Sequence, residues 1–66
     1  MTVGEKVRER RKELELSQQQ LADAVHVGQS MICQIERGTK SLSIGLGAEI
    51  ARVLGCRLED FLENGD

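Results

Sequence analysis

Apolar residues recur along residues 3–14 with the spacing of one helical face. Val3, Val7, Arg11 and Leu14 fall at i, i+4, i+8 and i+11, so three apolar side chains share a stripe with one guanidinium. An arginine on a core-facing stripe must snorkel or find a partner. Ser17, with Gln20 three residues on, is a capping-box pattern that opens a second helix over residues 18–25. Leu21, Ala22 and Val25 face inward there, and Leu16 is placed to staple onto Leu21. After the short turn His26-Val27-Gly28, a third helix runs over about residues 28–36 and stops at Gly38, a residue suited to a left-handed C-cap. Ser43 caps a fourth helix over 44–54, closed by Gly55, and a fifth covers 58–63 with Leu58, Phe61 and Leu62 inward. Gly45 and Gly47 each weaken the fourth helix by about 0.5–1 kcal/mol relative to Ala. They are either simply tolerated or let another helix come close.

The pattern predicts one all-α domain over residues 1–66. Composition agrees. There is no Pro, Trp or Tyr and only one Phe, while helix-forming Leu, Glu, Gln, Arg and Ala abound. No apolar run approaches the ~18–20 residues of a membrane span, and the N-terminus has no apolar leader. A cytoplasmic protein is therefore expected. Cys33 and Cys56 lie far apart and read as free thiols, with no metal-ligand spacing. The net charge of −2 argues weakly against nucleic acid until its distribution is considered. Residues 1–12 carry five cations against two anions, whereas residues 13–66 carry four against nine. Association responds to the local patch more than to the total.

Enzymatic chemistry finds little support. His26 sits alone in a turn, no third group is placed to orient a His–Cys pair with Cys33, and there is neither GxGxxG nor P-loop. No catalytic residue, cofactor, metal or small-molecule ligand is expected.

The third helix is more informative. At 100° per residue, Ile32 and Ile35 fall on one side, while Gln29, Ser30, Cys33, Gln34 and Arg37 occupy an arc of about 140° on the other. That outward face has amides and a hydroxyl where surface helices usually have Glu and Lys. An amide donates and accepts at once, which suits adenine's neighbouring donor and acceptor in the major groove; a carboxylate would only accept and would be repelled by phosphates. A short helix, a tight turn and a second helix with such a face make a helix-turn-helix arrangement. Arg37 and Lys40 follow where a duplex backbone would pass. Ser17 and Gln18 open the second helix, whose free N–H groups suit a phosphate, and Gly28 and Thr39 complete the candidate DNA-binding surface. Glu36 lies beside the Ile32 face, so it can meet Arg11 and neutralise it if the first and third helices pack.

The stretch GEKVRERRKELELSQQQLADAVHVGQSMICQIERG resembles the lambda-type Cro/C1 (Xre) helix-turn-helix DNA-binding family. Its strongest pieces are LSQQQLA and IERG, and SLSIGLGAEIARVLGCRLEDFL is similar to the family's fourth and fifth helices, so the resemblance spans about residues 3–62. It implies five helices with the second and third as the reading unit. It further implies that Gln18 contacts a phosphate and braces Gln29, that Ser30 and Gln34 face bases, that Arg37 and Lys40 touch phosphates, and that Arg11 and Glu36 form a buried ion pair. Glu15 and His26 stand where the family commonly has Gly, Gly28 where it often has Ser or Thr, and Leu42 where it often has Pro.

The expectation is a sequence-specific regulator of transcription that binds double-stranded DNA, resembling a restriction-modification controller or a phage-type repressor. A site read by one such small domain is short, so a homodimer on a palindromic operator is expected. No separate dimerisation segment is visible, which points to the domain's own surface: Leu46, Leu58, Phe61 or Leu62. The alternative, from another class, is a protein-interaction module such as an antitoxin that binds a toxin, with the acidic residues near the C-terminus as contacts.

Overall fold

The computed structural model describes residues 2–62, with side chains to residue 61. It is all-helical over that span: α1 (Val3–Glu13), α2 (Gln18–Ala24), α3 (Gln29–Arg37), α4 (Ile44–Leu54) and α5 (Leu58–Leu62). The expected end of the fifth helix at Glu63 and the side chain of Leu62 lie outside the described residues.

Local chemistry sets the helix starts. Thr2 and Glu5 form a capping box on α1, and Ser17 and Gln20 form another on α2, each pairing a side-chain oxygen with a backbone N–H in both directions. The Ser43 hydroxyl accepts from the Leu46 N–H at the head of α4. Gly28 starts α3 with no side-chain bond. α3 and α4 end on Gly38 and Gly55 in the left-handed region.

The core gathers one face of every helix. Val7, Leu21, Ala22, Val25, Ile32, Ile35, Ile50, Ala51, Leu54 and Phe61 are buried together, with Val3, Leu16, Val27, Met31, Leu42 and Leu46 packed at its edge. Two sequence expectations need correction. Leu14 does not join the inward stripe: it is the C-cap of α1, where the chain leaves the helix, and is 41% exposed. Phe61, offered as a dimer contact, is 2% exposed and belongs to the protomer's own core, so it has no surface to give a second copy.

Two close approaches lock the helices together. A Cβ on Gly4 would overlap the backbone carbonyls of Ile35 and Glu36, so α1 runs directly against the end of α3. A Cβ on Gly47 would lie 2.8 Å from Leu58 Cδ1, so that glycine admits α5 against α4, whereas Gly45 faces open space. Arg10 reinforces the packing by donating from Nε to the Leu54 carbonyl at the end of α4, at 3.0 Å.

Candidate nucleic-acid interface

α2 and α3 pack closely, joined by a turn in which His26 holds φ 63°. Burying Ile32 and Ile35 against the core rolls α3 so that Gln29, Ser30, Gln34 and Arg37 are exposed. Cys33 is half-buried on the same side. Gly28, Thr39 and Lys40 are exposed at the two ends of the helix. The Thr39 hydroxyl and N–H both donate to the Gln34 carbonyl, at 3.2 and 3.0 Å, adding to the bond that this carbonyl receives from the Gly38 N–H.

Beneath this surface is a buried ion pair. Arg11 Nε donates to Glu36 Oε2 at 2.7 Å and Arg11 Nη2 to Glu36 Oε1 at 3.1 Å, a two-point grip on the carboxylate. Arg11 Nη1 donates to the Leu16 carbonyl at 2.7 Å, so the guanidinium also holds the turn between α1 and α2. The pair is not sealed off from the surface. Gln18 Nε2 donates to Glu36 Oε1 at 3.1 Å, and Gln29 Nε2 donates to Gln18 Oε1 at 3.3 Å. A continuous polar path therefore leads from Arg11 through Glu36 and Gln18 to the first exposed side chain of α3.

The residues singled out in the sequence do not all converge. Gln18, Cys33 and Arg37 line one open polar groove with Glu5, Arg8, Arg11 and Glu36. Lys40 lines a neighbouring, more apolar depression with Val3, Gly4, Ile35 and Leu42. Ser17 keeps its hydroxyl oxygen in the α2 cap. Leu46 and Leu58 are only half-buried, on the far helices α4 and α5. Two residues were missed. Arg8, exposed beside the groove, was signalled by the basic run of residues 6–12. Ile44, 74% exposed at the first turn of α4, was passed over in favour of Leu46.

Other chemistry is sparse. No cluster of three or more metal-ligating side chains occurs among the described residues. No helix among them is long and apolar enough to cross a membrane. The Cys56 thiol lies away from α3; burial raises its pKa above the ordinary value, Asp60 adds to the rise, and Arg10 opposes it.

The helix-turn-helix family profile matches residues 7–61, nearly the whole described chain. The chain belongs to the Cro/C1-type helix-turn-helix family. Within that family it is similar to an uncharacterized HTH-type transcriptional regulator from Methanothermobacter thermautotrophicus, at 47% identity over 49 residues, covering 74% of this chain and 71% of the relative. Its fold matches the P22 c2 repressor solved with a synthetic operator, at TM-score 0.89 and 30% identity, over 100% of this chain and 98% of the repressor. It also matches the restriction-modification controller protein C.AhdI from Aeromonas hydrophila, at TM-score 0.85 and 27% identity, over 89% of each chain. This helix-turn-helix protein thus has the lambda- and P22-repressor architecture, and its relatives are DNA-binding regulators.

Proposed function

We propose that this helix-turn-helix protein is a non-enzymatic, cytoplasmic regulator of transcription that reads double-stranded DNA by laying α3 in the major groove. One observation carries the reading. The anion-free outer face of α3 presents Gln29, Ser30 and Gln34 to solvent while its only carboxylate, Glu36, is buried and neutralised by Arg11. A surface built to meet phosphates and base edges needs that separation. In this reading Gln29, Ser30 and Gln34 meet bases, with Cys33 against the groove floor. Arg37, Lys40, Thr39, Gly28, Ser17 and Gln18 approach the backbone, and Arg8 adds to the positive rim. The protein acts as a homodimer, for which half-buried Leu46 and Leu58 and exposed Ile44 are the apolar side chains at hand on α4 and α5.

In-vitro selection from random duplexes tests the proposal. Enrichment of a defined motif, with binding that weakens steeply as salt rises, is the expected result. No binding above that of competitor DNA at ~50 mM salt would overturn it and favour the protein-interaction alternative.

A further inference from the structure

We infer that Arg8, on α1, holds a backbone phosphate of its own across the groove from Arg37, so that a duplex rests on α1 as well as on α2 and α3. The inference rests on the proposal that the protein binds double-stranded DNA.

Residues 6–12 carry five of the chain's nine cations, and the fold itself occupies three of them. Lys6 donates from Nζ to the Asp60 carbonyl at 3.4 Å, which ties α1 to α5. Arg10 donates to the Leu54 carbonyl and pairs with Glu13. Arg11 is buried on Glu36. Arg8 and Lys12 differ from these: both are exposed, and neither has a hydrogen-bond or ion-pair partner among the described residues. They also differ from each other in direction. Arg8 lines the open groove of about 470 Å³ that Gln18 and Arg37 line, whereas Lys12 opens onto the outer side of α1, beside Glu5 and Glu9. The helix explains why. Gly4, Arg8 and Arg11 fall at i, i+4 and i+7, one stripe of α1. Gly4 abuts the Ile35 and Glu36 backbone, and Arg11 grips the Glu36 side chain, so Arg8 is held between two points where α1 meets α3. Three guanidiniums and two carboxylates line the groove. Arg11 and Glu36 close on each other, and Glu5 turns Oε1 to the Thr2 N–H at the head of α1. That leaves Arg8 and Arg37 as guanidiniums whose N–H groups face open space on two sides of one groove. A guanidinium only donates, and phosphate oxygens match its forked geometry.

Salt titration of the 66-residue chain and its variants on two duplexes tests this, one carrying the selected motif and one of random sequence. Arg8→Gln removes no contact of the fold, and its thermal melt should match that of the wild type. Each phosphate contact contributes about 0.9 to the slope of log affinity against log salt. Between ~50 and ~200 mM salt, Arg8→Gln should therefore lose about 3.5-fold less affinity than the wild type, on both duplexes alike. Arg8→Lys, which keeps the charge, and Lys12→Gln, which removes one outside the groove, should both keep the wild-type slope. Arg8→Gln/Arg37→Gln should lose the sum of the two single effects, because each arginine meets a different phosphate. Ethylation of single phosphates in the selected duplex gives a second readout. One phosphate per bound copy should weaken wild-type binding when ethylated and leave Arg8→Gln indifferent. An Arg8→Gln variant with the wild-type slope, an equal loss of slope in Lys12→Gln, or an ethylation pattern unchanged by Arg8→Gln overturns the inference while the proposed function stands. A wild-type chain that binds both duplexes equally, with the slope still falling in Arg8→Gln, supports the inference and overturns sequence reading instead. Binding to neither duplex overturns both.

Discussion

Glu15 and His26 hold φ of 60° and 63°, a region that side chains with a Cβ disfavour by roughly 1–2 kcal/mol. Both are exposed and sit in the turns that flank α2, so the angle between α1, α2 and α3 is set partly by strained backbone. Glycine relieves the clash but loosens the unfolded chain, which offsets part of the gain. Glu15→Gly and His26→Gly should each therefore stabilise by about 0.5–1 kcal/mol, raising Tm by about 2–8 °C for a domain of this size. Calorimetry showing no increase for Glu15→Gly would mean that the surrounding turn, with the Leu16 carbonyl held by Arg11, already absorbs the strain. At the same scale, Arg37 and Gln29 differ in kind. Arg37 is an exposed cation at the end of α3, so Arg37→Ala should weaken all sequences alike and make the salt dependence shallower by about one unit of slope. Gln29→Ala should instead cost about 1–3 kcal/mol on the preferred sequence and little on random DNA. Equal losses on both DNAs would remove Gln29 from the set of base readers.

The glycines of the helices divide by what lies opposite them. A Cβ on Gly4 meets main-chain carbonyl oxygen, which cannot rotate away, so Gly4→Ala must push α1 off α3. The expected cost is about 1–3 kcal/mol, the range for overfilling a packed interior. Gly45 faces open space in α4, so Gly45→Ala should stabilise by up to about 0.5–1 kcal/mol. Urea unfolding of the two variants decides it; shifts of the same sign would refute the geometric distinction. The contrast also explains what could be read from the chain. Ser17 with Gln20 and Gly38 after Arg37 are local signals, so helix starts and stops were legible within a residue or two. The polar face of α3 was legible because Ile32 and Ile35 fix its rotation. Arg11 and Glu36 were legible as two charges on inward stripes. Gly4 gave no signal, because the carbonyl that excludes a side chain there is 31 residues away, at Ile35. Phe61 was misread for a similar reason. On a five-residue helix, periodicity cannot tell a side chain that faces the protomer's core from one that faces a partner. The Gln18–Gln29 contact was implied only by the family resemblance, and the bond from Gln18 to Glu36 was illegible, since it joins α2 to α3 by side-chain reach rather than by spacing.

At the scale of the whole molecule, size constrains how the protein finds a sequence. Its extents are 30 × 23 × 20 Å. A duplex advances 3.4 Å per base pair, so one copy would span about six to nine base pairs, of which α3, in the proposed reading, meets only a few. A site that short recurs often by chance, and each base pair supplies only about 1–3 kcal/mol of discrimination. Two copies related by a two-fold axis double the sequence read, provided that their reading helices enter successive major grooves on one face of the duplex. Selected sequences should then contain inverted half-sites with centres about 34 Å, or ~10 base pairs, apart. Inserting half a turn, ~5 base pairs, between the half-sites would place the copies on opposite faces and should reduce affinity to that of an isolated half-site. Restoring a full turn should recover part of the affinity if the contact between copies tolerates the longer span, and none if that contact is rigid. A selected motif with no inverted repeat, or affinity indifferent to the half-turn insertion, would show that the protein binds as independent single copies.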